Sequence, residues 1–287
     1  MSAFPDGDRI VYLNGEFLPL ADAKISVLDR GFIYGDGVYE VVPVYRRRPF
    51  RLAEHLARLA HSLAGIRLAD PHPQRWSELI ADLIARQPFD DQAVYLQVTR
   101  GVAKRDHAFP AGVAPTVFLM SNPLVVPSKE QVERGVPVIT AQDTRWLHCD
   151  LKVTSLVANV LMRQLALDHD AVETVMFRNG YLTEASASNV LVVRDGSVLA
   201  PPKDNLILPG ITYDATLGFA RDIGVPVEVR PITHAEAMGA DEMWLSSSTK
   251  EVLAVTSVDG APFAGGAPGP LFRRVWEAFQ ARKSAVR

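Results

Sequence analysis

The segment Ser121-Asn-Pro-Leu-Val-Val-Pro127 constrains the fold most, because it reads as a linker between an α+β block and one of higher β content. Its two prolines stiffen a short connection and cannot join the middle of a hydrogen-bonded ladder. Before it, Ile10 to Leu18 reads as a hairpin, with Asn14-Gly15 supplying the positive φ angles of a tight turn. A β-branched run over 38–44 reads as a strand, and Leu52, Leu56, Leu59 and Leu63 follow a helical spacing. A second helix is expected over about 77–86, and strands over 94–100 and 116–120. Strands, then helices, then strands describe a compact α+β unit.

Beyond the prolines the β content rises, with strands expected over 136–141, 172–177 and 189–193. Asn179-Gly180 and Asp195-Gly196 mark hairpin turns. A helix after Lys152 shows Leu156, Val157, Val160, Leu161 and Leu165 as its apolar stripe. Another starts at Thr212 and ends before Gly224, and Thr233-His-Ala-Glu236 is a capping box. The expected organisation is a smaller N-terminal α+β domain over 1–120, a linker over 121–127 and a larger β-rich domain over 128–287.

A net charge of −3 gives no electrostatic case for binding nucleic acid or an anionic membrane. Arg46-Arg47-Arg48 is too short to change that and suits a solvated hairpin tip. No apolar run approaches the roughly 20 residues that span a bilayer. Asp6 and Asp8 stand where a secretion signal would need an apolar core. The single cysteine, Cys149, suits a reducing cytoplasm and a small packing role.

The residues that carry chemistry lie mostly in the second block. The Lys152 amine can form a Schiff base with an aldehyde, and the Glu184 carboxylate can hold a proton on a pyridine nitrogen. Leu208-Pro-Gly-Ile211-Thr212 enters a helix whose first amides, with the Thr212 hydroxyl, suit an anion. The hydroxyl cluster Ser246 to Thr249 offers further donors, and Arg58 a cation. Arg105 and His107, two apart in a charged loop, can project to one side and grip a carboxylate.

These motifs recur in one order: Asp29 to Glu40, Glu54 to Leu59, Thr99-Arg-Gly101, the Lys152 segment, Thr183-Glu184 with Ser188-Asn189, Leu208 to Thr212, and Ser246 to Glu251. In that order the chain resembles the fold-type IV pyridoxal-phosphate aminotransferases, which include D-amino acid and branched-chain enzymes. The resemblance implies a mixed α/β, two-domain homodimer with pyridoxal 5'-phosphate between the domains. It implies Lys152 as Schiff-base lysine and proton carrier, and Glu184 as partner of the pyridine nitrogen. Arg58, Ile211, Thr212 and Ser248 would hold the phosphate, and Leu208 would pack on the ring. Tyr39, Arg105 and His107 would bind the substrate α-carboxylate, a pattern of the D-amino acid enzymes.

The expected reaction is transfer of the amino group of a D-amino acid such as D-alanine to 2-oxoglutarate. Branched-chain transamination, amine transamination and the lyase forming 4-aminobenzoate are the alternatives within the resemblance. A non-catalytic cofactor carrier would lack the lysine or the carboxylate, and both are present. Ala187 and Phe32 stand where the compared enzymes commonly carry serine and can carry tyrosine.

Overall fold

The computed structural model describes residues 9–284, so the N-terminal residues that bear on a secretion signal lie outside the described residues. The described residues form two compact units, 9–124 with 151–156, and 125–150 with 157–284.

The first unit is built on six antiparallel strands, β1 (Ile10–Leu13), β2 (Glu16–Pro19), β3 (Gly37–Tyr45), β4 (Arg48–Pro49), β5 (Gln92–Thr99) and β6 (Thr116–Pro123). They lie in the order β2-β1-β6-β5-β3-β4. Asn14 (φ 49°) and Gly15 (φ 110°) make the first hairpin turn, and Arg46 and Arg47 (φ 50° and 63°) make the β3–β4 turn. That second tip is more than solvated, because Arg47 also donates to the carbonyls of Ile84 and Gln87.

Helix α1 (Arg30–Tyr34) precedes β3, and α2 (Leu52–Gly65) and α3 (Trp76–Ala85) follow β4. The leucine spacing of α2 buries Leu59 and Leu63 against Val38, Val42, Leu96 and Val98 of the sheet. β5 alternates buried and half-buried residues along most of its length, as a strand with one face on the core must.

The second unit carries nine strands, β7 (Val136–Gln142), β8 (Glu173–Arg178), β9 (Tyr181–Ala185), β10 (Asn189–Arg194), β11 (Ser197–Ala200), β12 (Val227–Val229), β13 (Glu242–Ser247), β14 (Glu251–Val258) and β15 (Ala261–Pro262). Their order is β12-β11-β10-β13-β14-β7-β8-β9, with β15 added on β14. Five helices accompany them: α4 (Lys129–Arg134), α5 (Val157–Asp168), α6 (Ile211–Asp222), α7 (His234–Met238) and α8 (Pro270–Ser284). Both turns expected here, Asn179-Gly180 and Asp195-Gly196, have positive φ at both residues. The Thr233–Glu236 capping box closes reciprocally at the start of α7.

Three expectations change. The connection begins later than residue 121, because 121–123 continue β6 against β5. Pro123 is tolerated there because β1 pairs with β6 only at Phe118 and Leu119, leaving no ladder bond on that side for a missing N–H to break.

The segment around Lys152 belongs to the first unit, not to the C-terminal half. Leu151 and Val153 join its core, Val38 bridges Val153, and Lys152 N–H donates to Ser62 Oγ at 3.0 Å. Sequence order cannot reveal this, because these partners lie about a hundred residues upstream.

Most of the apolar stripe of α5 faces outward, while Leu165 packs on the Ile139 and Ala166 cluster. Val157, Val160 and Leu161 are 73%, 63% and 59% exposed, although the helix forms where expected.

Candidate active site

In the first unit, β3 and the segment 151–156 lie side by side. Tyr39 N–H donates to the Lys152 carbonyl at 2.9 Å, and Thr154 N–H donates to the Gly37 carbonyl at 3.0 Å. This pairing fixes the lysine backbone beside β3 and sets the Lys152 Nζ 4.1 Å from the centre of the Tyr39 ring. Tyr95 stacks on Tyr39 with centroids 5.6 Å apart.

Arg58, on the buried face of α2, forks the Glu40 carboxylate at 2.7 and 2.9 Å, and His55 Nδ1 lies 2.9 Å from the same group. Burial works to raise the Glu40 carboxyl, yet Arg58 and His55 together bring it down to about 2. Burial lowers the His55 imidazole, against the pull of Glu40. The charge of Arg58 is therefore already offset, a partner the sequence did not reveal.

Arg105 and His107 stand on an irregular loop between β5 and β6. Both meet the ring of Tyr34. The Arg105 guanidinium carbon is 5.5 Å from its centre, and the His107 ring is 5.4 Å away. The two are gathered on Tyr34, whereas Tyr39 packs against Lys152 and Tyr95.

In the second unit, Glu184 on β9 is buried and accepts from Arg145 Nη1, from Leu208 N–H at 3.1 Å and from Asn189 Nδ2 at 3.1 Å. Arg145 also forks Asp143, at 3.0 and 2.8 Å. Burial pushes the Glu184 carboxyl up to about 7, only partly opposed by the Arg145 guanidinium. Asp143, also buried but held by Arg145 and Thr183, falls to about 2. A carboxyl near 7 can give or take a proton in the neutral range.

Helix α6 begins at Ile211 with Gly210 at its N-cap, and no side chain caps it. Its first hydrogen-bonded amide is Asp214 N–H, to Gly210 at 3.1 Å, so the amides of Ile211, Thr212 and Tyr213 have no partner within the helix. Such a terminus suits an anion. Ser248 lies in the turn between β13 and β14. Close by in sequence, Ser246 Oγ is buried with no hydrogen-bond partner.

Asn189 joins these parts. Its amide donates to both Glu184 and the Leu208 carbonyl, and a Cβ on Gly210 would collide with its Oδ1. A larger residue at Gly210 would displace the Asn189 side chain from this place. Asn189 lies inside a motif of the sequence, whereas Arg145 gains its place only through its contacts with Asp143 and Glu184.

At Ala187 the missing hydroxyl leaves no gap at buried Glu173, which accepts from Ser186 Oγ, Ser188 Oγ at 2.8 Å, Lys250 Nζ at 2.8 Å and Ala187 N–H at 3.2 Å. Phe32 is 69% exposed and fills no core position. Burial pushes the Cys149 thiol up to about 11, which suits packing rather than nucleophilic attack.

Residues 37–258 match the family model described as amino-transferase class IV. The chain belongs to the class IV aminotransferases. This aminotransferase is 40% identical over 274 residues to the D-alanine aminotransferase of Bacillus licheniformis, covering 94% of this chain and 95% of that one. It is 38% identical to the D-alanine aminotransferase of Listeria monocytogenes, covering 94% of each.

Among solved structures, the T.th. branched-chain amino acid aminotransferase with pyridoxamine 5'-phosphate superposes with a TM-score of 0.90. It is 27% identical, over 97% of this chain and 95% of that one. The branched-chain enzyme from Escherichia coli gives 0.87 at 26% identity, over 96% and 94%. No described helix of this aminotransferase is long and apolar enough to cross a membrane.

Proposed function

We propose that this aminotransferase uses pyridoxal 5'-phosphate to move the amino group of a D-amino acid, such as D-alanine, to 2-oxoglutarate. The observation that carries the choice is the pair Arg105 and His107 gathered on one ring, a cation and an imidazole suited to an α-carboxylate. It is supported by the 34–40% identity to D-alanine aminotransferases, against 24–27% to the branched-chain structures.

The residues fit the cofactor. Glu184 is a buried carboxyl with a raised proton affinity, α6 offers uncapped amides and Ser246 an unpartnered hydroxyl. Ile211, Thr212 and Ser248 would hold the phosphate. Arg58 would add a cation already balanced by Glu40, Leu208 would pack on the ring, and Lys152 would bind the aldehyde carbon through its amine. When bound, the cofactor supplies an electron sink for the substrate α-carbon.

The protein's residues do the rest. Glu184 keeps a proton at the ring nitrogen, and Asn189 with Arg145 fixes the direction of its carboxyl. Lys152 Nζ, as a free amine, would take the α-proton of the substrate and later give a proton back. Tyr39, beside Nζ, limits where that amine can swing. Arg105, His107 and Tyr39 hold the α-carboxylate. With the carboxylate and the proton-accepting amine both fixed, only one hand of the amino acid presents its α-hydrogen to Lys152.

Homodimerisation accounts for α5, whose Val157, Val160 and Leu161 are exposed where a monomer would bury them. The single cysteine suits a cytoplasmic setting. Borohydride treatment of the yellow holoenzyme and peptide mapping should place the pyridoxyl group on Lys152. In a separate, unreduced sample, D-alanine alone should release pyruvate stoichiometrically with the cofactor. A pyridoxyl group on another lysine, or no pyruvate, would contradict the assignment.

A further inference from the structure

We propose that Arg30, Asp36 and Arg100 form a positioning device that holds the loop 104–110, and thereby Arg105 and His107, in a carboxylate-gripping shape. The inference rests on the reading of Arg105 and His107 as the substrate carboxylate trap.

The loop has no ladder of its own. Arg30 supplies partners for three of its backbone carbonyls. Arg30 is 4% exposed, and its Nη1 donates to the Asp106 carbonyl at 2.5 Å and the Ala108 carbonyl at 3.3 Å. Its Nη2 reaches the His107 carbonyl at 3.5 Å. One guanidinium thus spans three successive peptide groups, two of which flank His107.

Asp36 aims that guanidinium. Its carboxylate accepts from Arg30 Nε at 2.8 Å and from Arg100 Nε and Nη2 at 2.8 and 3.1 Å. Arg100 holds the far end of the loop, since its guanidinium carbon lies 3.8 Å from the centre of the Phe109 ring. It is itself tied to the Ile66 carbonyl at 2.7 Å. Burial works to raise the Asp36 carboxyl, but the two guanidinium groups bring it below its ordinary value, so it stays charged.

Tyr34 completes the arrangement. The Arg30 guanidinium lies 4.9 Å from the centre of its ring, the same ring that Arg105 and His107 meet. Loop backbone and loop side chains are therefore referred to one support. Loosening it should cost the trap its preorganisation while leaving Lys152 and the proton transfer in place.

The test uses the holoenzyme with Arg30→Lys, which keeps the charge but not the fork, and Phe109→Ala, which removes an exposed ring with little risk to folding. We expect KM for D-alanine to rise at least fivefold in each, with kcat within twofold and the cofactor absorbance unchanged. Backbone hydrogen exchange over 104–109 should quicken in both variants without substrate. KM within twofold of wild type together with unchanged exchange would overturn the proposal. If exchange quickens but neither these variants nor Arg105→Ala change KM, the carboxylate-trap reading fails, and with it the role given to the anchor.

Discussion

Asn189 donates to Glu184 through the same amide nitrogen that holds the Leu208 carbonyl, at 3.1 and 2.8 Å. One side chain therefore sets both the buried carboxyl and the irregular segment leading to α6. Asn189→Ala should weaken cofactor binding by about tenfold, since one hydrogen bond to a charged group contributes about 1.5–3 kcal/mol. Equilibrium dialysis against the cofactor measures it. Unchanged affinity would mean that Glu184 is positioned by Arg145 and Leu208 alone.

Glu184 should make the cofactor-free protein less stable as pH rises. Its folded-state proton affinity, near 7, lies above the ordinary value of 4.5. Its stabilising contribution is thus complete below pH 4.5 and lost as pH rises through about 7. Glu184→Gln removes that loss, which is at most about 3 kcal/mol. Without cofactor, the Tm of the variant relative to wild type should climb between pH 5 and pH 8. A gap independent of pH would contradict the buried, proton-retaining state.

The Glu40–Arg58 pair predicts the opposite trend at low pH. The Glu40 carboxyl is held at about 2, below the ordinary 4.5, so its contribution is present above pH 4.5 and lost as pH falls toward 2. Glu40→Gln leaves Arg58 buried beside a neutral partner, at a cost of about 3 kcal/mol at pH 7. Urea denaturation should show the difference from wild type shrinking between pH 4.5 and pH 2.5. A constant difference would show that the pair is not the source.

What could be read from the sequence was local. Asn14-Gly15, Asn179-Gly180 and the Thr233–Glu236 box each declare their geometry within four residues, and each forms where expected. The leucine spacing of α2 also faces the core as read. The stripe of α5 had the same signature and yet mostly faces outward, because periodicity shows that a face is apolar but not what covers it. Lys152 and Glu184 stood out through their chemistry. Their supports did not: Glu40 lies 18 residues from Arg58, and Asp143 and Arg145 about 40 from Thr183 and Glu184. Burial of an ion pair is a tertiary property, and a charged residue in a sequence reads first as solvated.

The central claim is that the α-carboxylate is held so that Lys152 meets the α-hydrogen of a D-amino acid. Initial rates of the wild-type holoenzyme with 2-oxoglutarate, for D-alanine and D-glutamate beside L-leucine and L-valine, test it most directly. Two charged contacts of about 1.5–3 kcal/mol each imply a D-over-L preference in kcat/KM of roughly a hundredfold or more. That preference should fall in Arg105→Ala. Faster turnover of L-leucine or L-valine than of D-alanine by the wild type would contradict the account and assign the protein to branched-chain transamination.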